Sequence, residues 1–201
     1  MQTDMTVGKP MKMLLNFTIP VFLGNVFQQL YSMADAVIVG KFVGTKGLAA
    51  VGATGTITFL IIGFLMGVTT GVTVLTSQKF GAGRMDEMRK TVGNAAILSA
   101  VIAVVMTAVS MLGMHRLLVF MHTPEDIFDG AYGYIMIICA GIFTQVLYNL
   151  VSSILRALGN SKTPLYFLIL AAGLNIVLDL VFIIFFHWGA PGAAWATVIS
   201  Q

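Results

Sequence analysis

The sequence contains few charged side chains. Asp, Glu, Lys and Arg make up 9% of its 201 residues, whereas soluble globular domains carry about 25%. Hydrophobic side chains account for 58% of the chain. Because so few polar groups are available to cover a surface in water, the composition excludes a water-soluble domain and indicates an integral membrane protein.

Cysteine, histidine and catalytic motifs are also scarce. Cys139 is the single cysteine and lies in an apolar run, so a disulfide framework is excluded and a cysteine-ligated metal site is not expected. The three histidines lack the spacing of metal ligands, and no P-loop, GxSxG or HExxH motif occurs. The 11 basic residues are spread among hydrophobic runs and form no basic patch. We therefore predict no enzyme activity, no cofactor and no nucleic-acid partner.

Long hydrophobic runs dominate what is present. A helix needs roughly 20 apolar residues to cross the ~30 Å hydrocarbon core, and three runs of that length lack charge entirely, while two more contain a single acid each. A sixth run stops after about 18 Å of helix, too short to cross. Charge, Gly and Pro concentrate between the runs, and no long linker occurs. The sequence predicts an all-α, six-helix transmembrane bundle in one domain, residues 1–201, with helices at 13–40, 47–78, 91–114, 128–155, 163–187 and an incomplete 190–201.

The basic residues predict the orientation of this bundle. Eight of the 11 Lys and Arg lie in the N-terminal tail and in the loops after the second and fourth helices, and three lie on the other side. Positive charge is concentrated on cytoplasmic loops. We therefore expect a multi-pass protein of the cell membrane with a cytoplasmic N-terminus, whose first helix is retained and is not a signal peptide.

Two acids, Asp35 and Asp179, lie inside predicted spans. An ionised carboxylate near the bilayer centre costs at least ~2.5 kcal/mol, so such residues usually face the bundle interior and serve an ion or substrate pathway. The alternative is that each lies near a helix end and reaches water or a backbone partner. Helical spacing favours the first interpretation, because each acid shares a helix face with polar neighbours, namely Gln28 and Tyr31 for Asp35 and Asn175 for Asp179. The pattern is typical of a protonatable or Na⁺-binding site inside a bundle.

Two backbone features of the first two helices predict local geometry. Pro20 lies inside the first helix, where it removes a backbone hydrogen bond. It is either a hinge or a static packing kink. Gly63, Gly67 and Gly71 form two consecutive GxxxG repeats in the second helix, which predict close packing against another helix.

Several segments together resemble the multidrug and toxic compound extrusion (MATE) transporters, of the bacterial type. Their order and spacing within a six-helix pattern carry the resemblance, which covers nearly the whole chain. The segments are the first helix with Pro20 and Met33-Ala-Asp-Ala-Val-Ile-Val-Gly40, Gln78-Lys-Phe-Gly-Ala-Gly83, Arg156-Ala-Leu-Gly-Asn-Ser-Lys-Thr-Pro164, Asn175-Ile-Val-Leu-Asp179, and Gly192-Ala-Ala-Trp-Ala-Thr-Val-Ile-Ser200.

The resemblance implies a secondary antiporter of twelve helices in two six-helix lobes. Such a protein exports cationic or amphipathic organic compounds in exchange for H⁺ or Na⁺. This chain resembles the N-terminal lobe, with its sixth helix truncated and the C-terminal lobe absent. We therefore expect a fragment of a longer gene product. The less favoured alternative is a half-transporter that dimerises to rebuild a complete transporter. Its expected partners are the lipid bilayer, small organic substrates and the missing C-terminal lobe.

The resemblance also implies a set of site residues. The cation-coupling ligands would be Asp35, Asn175, Asp179 and Thr197. Gln28, Tyr31 and Tyr134 would line the substrate cavity, and Pro20 would mark the bend of the first helix. Asp35 and Asp179 were already identified by their position inside apolar runs, whereas Thr197 is implied by the resemblance alone.

Two other functions remain as alternatives at this point. A lipid-linked oligosaccharide flippase of the same superfamily would be expected to have a more cationic cavity, and no Lys or Arg is embedded in these spans. An intramembrane aspartyl protease would also use two buried acids. Its Tyr-Asp and Gly-x-Gly-Asp settings are missing, since Asp35 follows Met-Ala and Asp179 follows Val-Leu. Binding of a pepstatin-type inhibitor would distinguish a protease from a transporter.

Overall fold

A computed structural model describes residues 10–201 of the chain, and these residues are helical almost throughout. The predicted all-α fold is confirmed. The helices are α1 (Pro10–Phe42), α2 (Thr45–Gly81), α3 (Met85–Phe120), α4 (Glu125–Ala140), α5 (Ile142–Ala157), α6 (Lys162–Leu180) and α7 (Gly189–Ser200), with a π-helical segment (Val181–Phe185) directly after α6.

Four helices of the described chain are long and apolar enough to cross a membrane, and a fifth span results if a bent pair of helices is counted as one. α1, α2, α3 and α6 with its π-helical segment meet this condition singly. α4 and α5 meet it together, as one span bent by 47°. The fourth predicted helix is therefore divided, and its break lies at Gly141, between the two halves. The 12-residue α7 corresponds to the incomplete sixth helix.

Gly141 stands at the bend because a larger side chain would collide with α7. A Cβ atom built on Gly141 would overlap the side chain of Val198. The absence of a side chain thus lets α7 approach the middle of the broken span. Small residues on α7 have the same effect, since Ala193, Ala194 and Ala196 are fully buried.

Replacement of Gly141 by Ala is expected to lower the free energy of unfolding by about 1–3 kcal/mol, because the added methyl overpacks the contact with Val198. Thermal unfolding of the purified protein in detergent measures the effect. Gly113→Ala is the matched control, since a Cβ there meets nothing within 4 Å and α3 gains up to about 1 kcal/mol of helix propensity. Equal unfolding temperatures for the two variants would contradict the steric argument.

The outer surface of the bundle is apolar, as expected for a protein surrounded by lipid. Large hydrophobic side chains are widely exposed, among them Phe59 and Leu112, the latter at 84%. The buried interior is built from smaller apolar clusters where α2 packs on α4 and α5, and where α4 packs on α7. Because hydrocarbon is as apolar as Leu or Phe, burial alone does not drive these contacts, and close packing contributes instead.

The GxxxG repeats of α2 pack against no other part of the described chain. A Cβ built on Gly63, Gly67 or Gly71 meets nothing within 4 Å, and all three residues are exposed. The predicted close contact was therefore wrong within residues 10–201. A sequence repeat of small residues permits close approach but does not supply the second helix.

Alternation of the helices gathers basic residues at one end of the bundle. Short turns connect the long helices, so neighbours run antiparallel. The start of α1, the end of α2, and the α5–α6 connection then lie at the same end, which we call the basic end after Lys79, Lys90 and Arg156. The N-terminal tail with Lys9, which contributed to the predicted orientation, lies outside the described residues.

Candidate functional site

The packing of α1 against α6 brings the two intramembrane acids together. Asp35 lies in the last third of α1, and Asp179 lies near the end of α6, where it is fully buried. Their carboxyl groups lie within electrostatic range of each other. The tertiary structure therefore joins two acids that are separated by more than 140 positions in the chain.

Hydrogen bonds join a third helix to the polar neighbours of this acid pair. Asn175 lies one turn before Asp179 on α6 and is also fully buried. The hydroxyl of Thr197 on α7 accepts hydrogen bonds from the Asn175 side-chain amide at 3.5 Å and from the Tyr31 hydroxyl at 3.2 Å. The four residues that the resemblance implies as cation ligands thus form one cluster, contributed by α1, α6 and α7.

Oxygen atoms in this cluster lack partners. Buried oxygens of Asp35 (Oδ1), Asn175 (Oδ1) and Asp179 (Oδ1 and Oδ2) have no hydrogen-bond donor among the described residues. Leaving a buried acceptor unsatisfied costs about 1–3 kcal/mol. A proton shared by the carboxyl groups, or a hard cation such as Na⁺ that prefers oxygen ligands, would satisfy them. The donor set therefore fits a proton or Na⁺.

The cluster does not resemble a site for a transition metal. Within residues 10–201 there is no group of three or more His, Cys, Asp or Glu side chains that could hold such an ion. Oxygen donors from two acids, one amide and one hydroxyl are all that the cluster offers.

A cavity of about 300 Å³ extends from this cluster toward the basic end. Helices α1, α2, α5 and α6 surround it, together with the last residues of α7. Of the predicted residues, Gln28, Tyr31 and Pro20 line the cavity. Its volume falls at the lower limit of small-molecule sites, which are about 300–1,000 Å³.

The structure places Tyr134 elsewhere than the predicted cavity wall. Its side chain is 8% exposed and packs with Ala131, Ile183 and Ala193 in the core between α4 and α7. It lies within electrostatic range of both acids. Tyr134 therefore belongs to the surroundings of the acid pair, because it packs toward α7 and is not among the residues that line the cavity.

Several cavity residues were not found by the sequence argument. Gln145, Tyr148 and Asn149 of α5 line the cavity together with Arg156. The first three occur at i, i+3 and i+4, so a shared polar face on an apolar helix was the available signal. Arg156 carried no such signal, because it occurs in a stretch rich in Gly, Lys and Pro that is typical of a loop.

α1 continues as a helix through Pro20, which is buried and lines the cavity. Proline has no N–H to donate, so the carbonyl of Asn16, four residues earlier, loses its helical partner. The helix is weakened where it borders the cavity, about four turns before Asp35.

The comparisons with known proteins agree with this arrangement. A family model described as MatE matches residues 20–181. The chain belongs to the MatE family. The resemblance noted in the sequence is thereby confirmed, and with it a multi-pass membrane fold.

Relatives and solved structures match the chain over almost all its length. A probable multidrug resistance protein, YpnP of Bacillus subtilis, is 33% identical over 98% of the chain. The probable multidrug resistance protein NorM of Thermotoga maritima is 28% identical over 94%. A MOP superfamily transporter structure from Pyrococcus furiosus superposes with a TM-score of 0.91 at 30% identity, covering 96% of the chain.

This MatE chain spans less than half the length of those proteins. It covers 44% of the Bacillus relative, 42% of the Thermotoga relative and 42% of the Pyrococcus structure. A single lobe of a two-lobe transporter would span this share. The confirmed fold is accordingly a partial MATE bundle that fits the N-terminal lobe.

Proposed function

We propose that this chain is the N-terminal lobe of a cation-coupled antiporter that exports amphipathic organic compounds, and that it is not an enzyme. One observation carries the proposal. Tyr31 lines the cavity and also donates a hydrogen bond to Thr197 in the acid cluster. A single side chain therefore contacts both the space for a substrate and the site for a cation, which antiport requires.

The acid cluster supplies the cation site in this scheme. Asp35, Asn175, Asp179 and Thr197 bind H⁺ or Na⁺, and the buried oxygens without partners support that role. Binding a cation removes the repulsion between the two carboxylates and draws α1 toward α6. A ligand shifts a conformational equilibrium only by its difference in affinity between the two states. A cation binds more tightly to the state in which α1 and α6 are close, because the two carboxylates repel each other most in that state.

The cavity and the weakened helix supply the transport step. Gln28 and Tyr31 contact substrate, while α1 bends near Pro20 as the cation binds, so that the Tyr31 side chain moves and the substrate is displaced. Alternating access in two-lobe transporters involves the motion of one half against the other. We therefore propose the C-terminal lobe as partner, with the protein in the cell membrane and its N-terminus in the cytoplasm.

Ethidium efflux tests this function. Cells that express the complete reading frame are loaded with ethidium, and an inward H⁺ or Na⁺ gradient is imposed. Efflux is expected to accelerate with one of the two gradients, which identifies the coupling ion, and to stop when an ionophore dissipates it. Efflux that equals that of cells without the gene, under both gradients, would overturn the proposal.

Tyr31→Phe is expected to reduce coupling while leaving dye binding within about twofold, because only the hydroxyl that reaches Thr197 is lost. Loss of one hydrogen bond of about 1 kcal/mol corresponds to roughly fivefold slower gradient-driven efflux. Tyr148→Phe is the matched control, since Tyr148 lines the same cavity and forms no hydrogen bond with the described chain. Equal efflux rates in the two variants would show that Tyr31 does not link the two sites.

A further inference from the structure

The charge inside the cavity differs from what an exporter of cations leads one to expect. No Asp or Glu side chain lines the cavity in the described part of the chain, since Asp35 and Asp179 lie beyond its wall. Arg156, at the end of α5, is the one charged side chain among the lining residues within 10–201. The apolar runs of the sequence contain no Lys or Arg, but Arg156 borders the cavity at its basic end.

Two buried hydroxyl groups lie in the same wall as Arg156. Ser153 is one turn earlier on α5, and Ser161 directly precedes α6. These serines are 8% and 6% exposed, and neither side chain hydrogen-bonds to any residue that the structure describes. Both are buried within the protein yet border the cavity, so their O–H groups are available as donors to a molecule inside it.

The start of α6 adds a further positive contribution. This 19-residue helix begins at Lys162. Its N-cap residue Ser161 makes no side-chain capping hydrogen bond, while the Thr163 N–H donates to the Asn160 side chain. The N-terminus of a helix carries a partial positive charge of about half a unit. Arg156 itself forms no ion pair with an acid of residues 10–201. A guanidinium, two hydroxyl donors and a helix N-terminus thus lie at one end of the cavity, where no Asp or Glu side chain of residues 10–201 faces them.

We propose that the basic end of the cavity binds an acidic group, a carboxylate, phosphate or sulfonate, of an amphipathic compound. The inference rests on the proposed function in taking the cavity as the substrate path. The planar guanidinium of Arg156 matches such an anion with two parallel hydrogen bonds. Leu165 and Leu168 of the same cavity offer apolar contacts to the remainder of the molecule.

The binding experiment uses two pyrene probes that differ only in the sign of charge, 1-pyrenebutyrate and 1-pyrenebutylamine. Protein expressed from the complete reading frame is placed in nanodiscs of phosphatidylcholine, and the fluorescence anisotropy of each probe is titrated. Arg156→Gln is expected to weaken pyrenebutyrate binding about tenfold, the loss of one charge-assisted contact, and to leave pyrenebutylamine within twofold. No ion gradient is needed, so failure here is separate from failure of antiport.

Lys90→Gln is the matched control, because it removes the same charge at an exposed position of the basic end that does not line the cavity. It is expected to change neither affinity by more than twofold. Arg156→Lys keeps the positive charge and is expected to bind pyrenebutyrate better than Arg156→Gln does. This result would show that the weaker binding of Arg156→Gln comes from the lost charge and not from misfolding. Equal weakening by Arg156→Gln and Lys90→Gln, or preferred binding of the amine, would overturn the proposal.

A second arm distinguishes a soluble compound from a lipid headgroup as the source of the acidic group. Phosphatidylglycerol is added to the nanodiscs in increasing fraction. If competition with pyrenebutyrate increases with that fraction in the parent protein and disappears in Arg156→Gln, an anionic lipid occupies the site. If the affinity is independent of phosphatidylglycerol, the acidic group belongs to a soluble compound.

Discussion

Efflux driven by an ion gradient is expected to fall at least roughly tenfold when Asp179 is replaced by Asn. The side chain is fully buried, and both its carboxylate oxygens lack partners, so it is the group with the most to gain from a cation. Asn has nearly the same shape but cannot take up a proton or carry the negative charge that holds Na⁺. A tenfold change corresponds to 1.4 kcal/mol of coupling free energy, which is typical of linked sites.

The measurement is ethidium efflux from cells expressing the complete reading frame under imposed H⁺ and Na⁺ gradients. Asp129→Asn makes the same chemical change at an exposed acid in the first turns of α4 and is expected to leave efflux unaltered. Protein levels in the membrane must match for the comparison. If Asp179→Asn transports at the parent rate, coupling does not use this acid, and the assignment of the whole cluster fails.

Asp35→Asn is expected to raise the unfolding temperature while it abolishes coupled transport. In the parent, two carboxyl groups face each other and their buried oxygens have no donors. An amide at position 35 removes the repulsion and supplies N–H groups that donate to Asp179. Satisfying one buried acceptor is worth about 1–3 kcal/mol, and each kcal/mol shifts the unfolding temperature by about 2–4 °C in proteins of this size.

Thermal unfolding in detergent, with and without NaCl, measures this effect. Choline chloride at the same ionic strength serves as the salt control. If the coupling ion is Na⁺, sodium stabilises the parent, because a ligand that binds only the folded state adds to its stability, and this increment disappears in Asp35→Asn. An unfolding temperature below that of the parent would show that the pair is stabilising as two acids, contrary to the argument from unpaired oxygens.

Much of the site could be predicted from the sequence, because placing a charged or polar side chain inside a membrane costs free energy and such residues are therefore few. Asp35 and Asp179 stand out in apolar runs, and helical spacing associates them with Gln28, Tyr31 and Asn175. The role of Thr197 came through family resemblance alone, since a Thr in an apolar helix carries no signal by itself. Its position as a shared acceptor for Tyr31 and Asn175 depends on how α7 packs.

The misplaced predictions share one cause. Gly63, Gly67 and Gly71 permit a close helix contact that the described chain does not make. A Cβ at Gly141, which no repeat marks, would instead overlap a side chain of another helix. Tyr134 lies on the face of α4 that packs toward α7 instead of lining the cavity. In each case the sequence specified a local property of one helix, and the helix packed against it determined whether that residue lies in a contact or in the cavity wall.

By itself, the sequence determined that the chain lies in a membrane, how many apolar runs cross it, and which acids must face inward. These follow from hydrophobicity and charge, which act residue by residue. Only the tertiary structure decided that Asp35 meets Asp179, that Tyr31 joins the cavity to the cation cluster, and that Arg156 borders the cavity. Such contacts join distant residues, and within lipid they are selected by close packing and hydrogen-bond geometry, which a linear pattern does not contain.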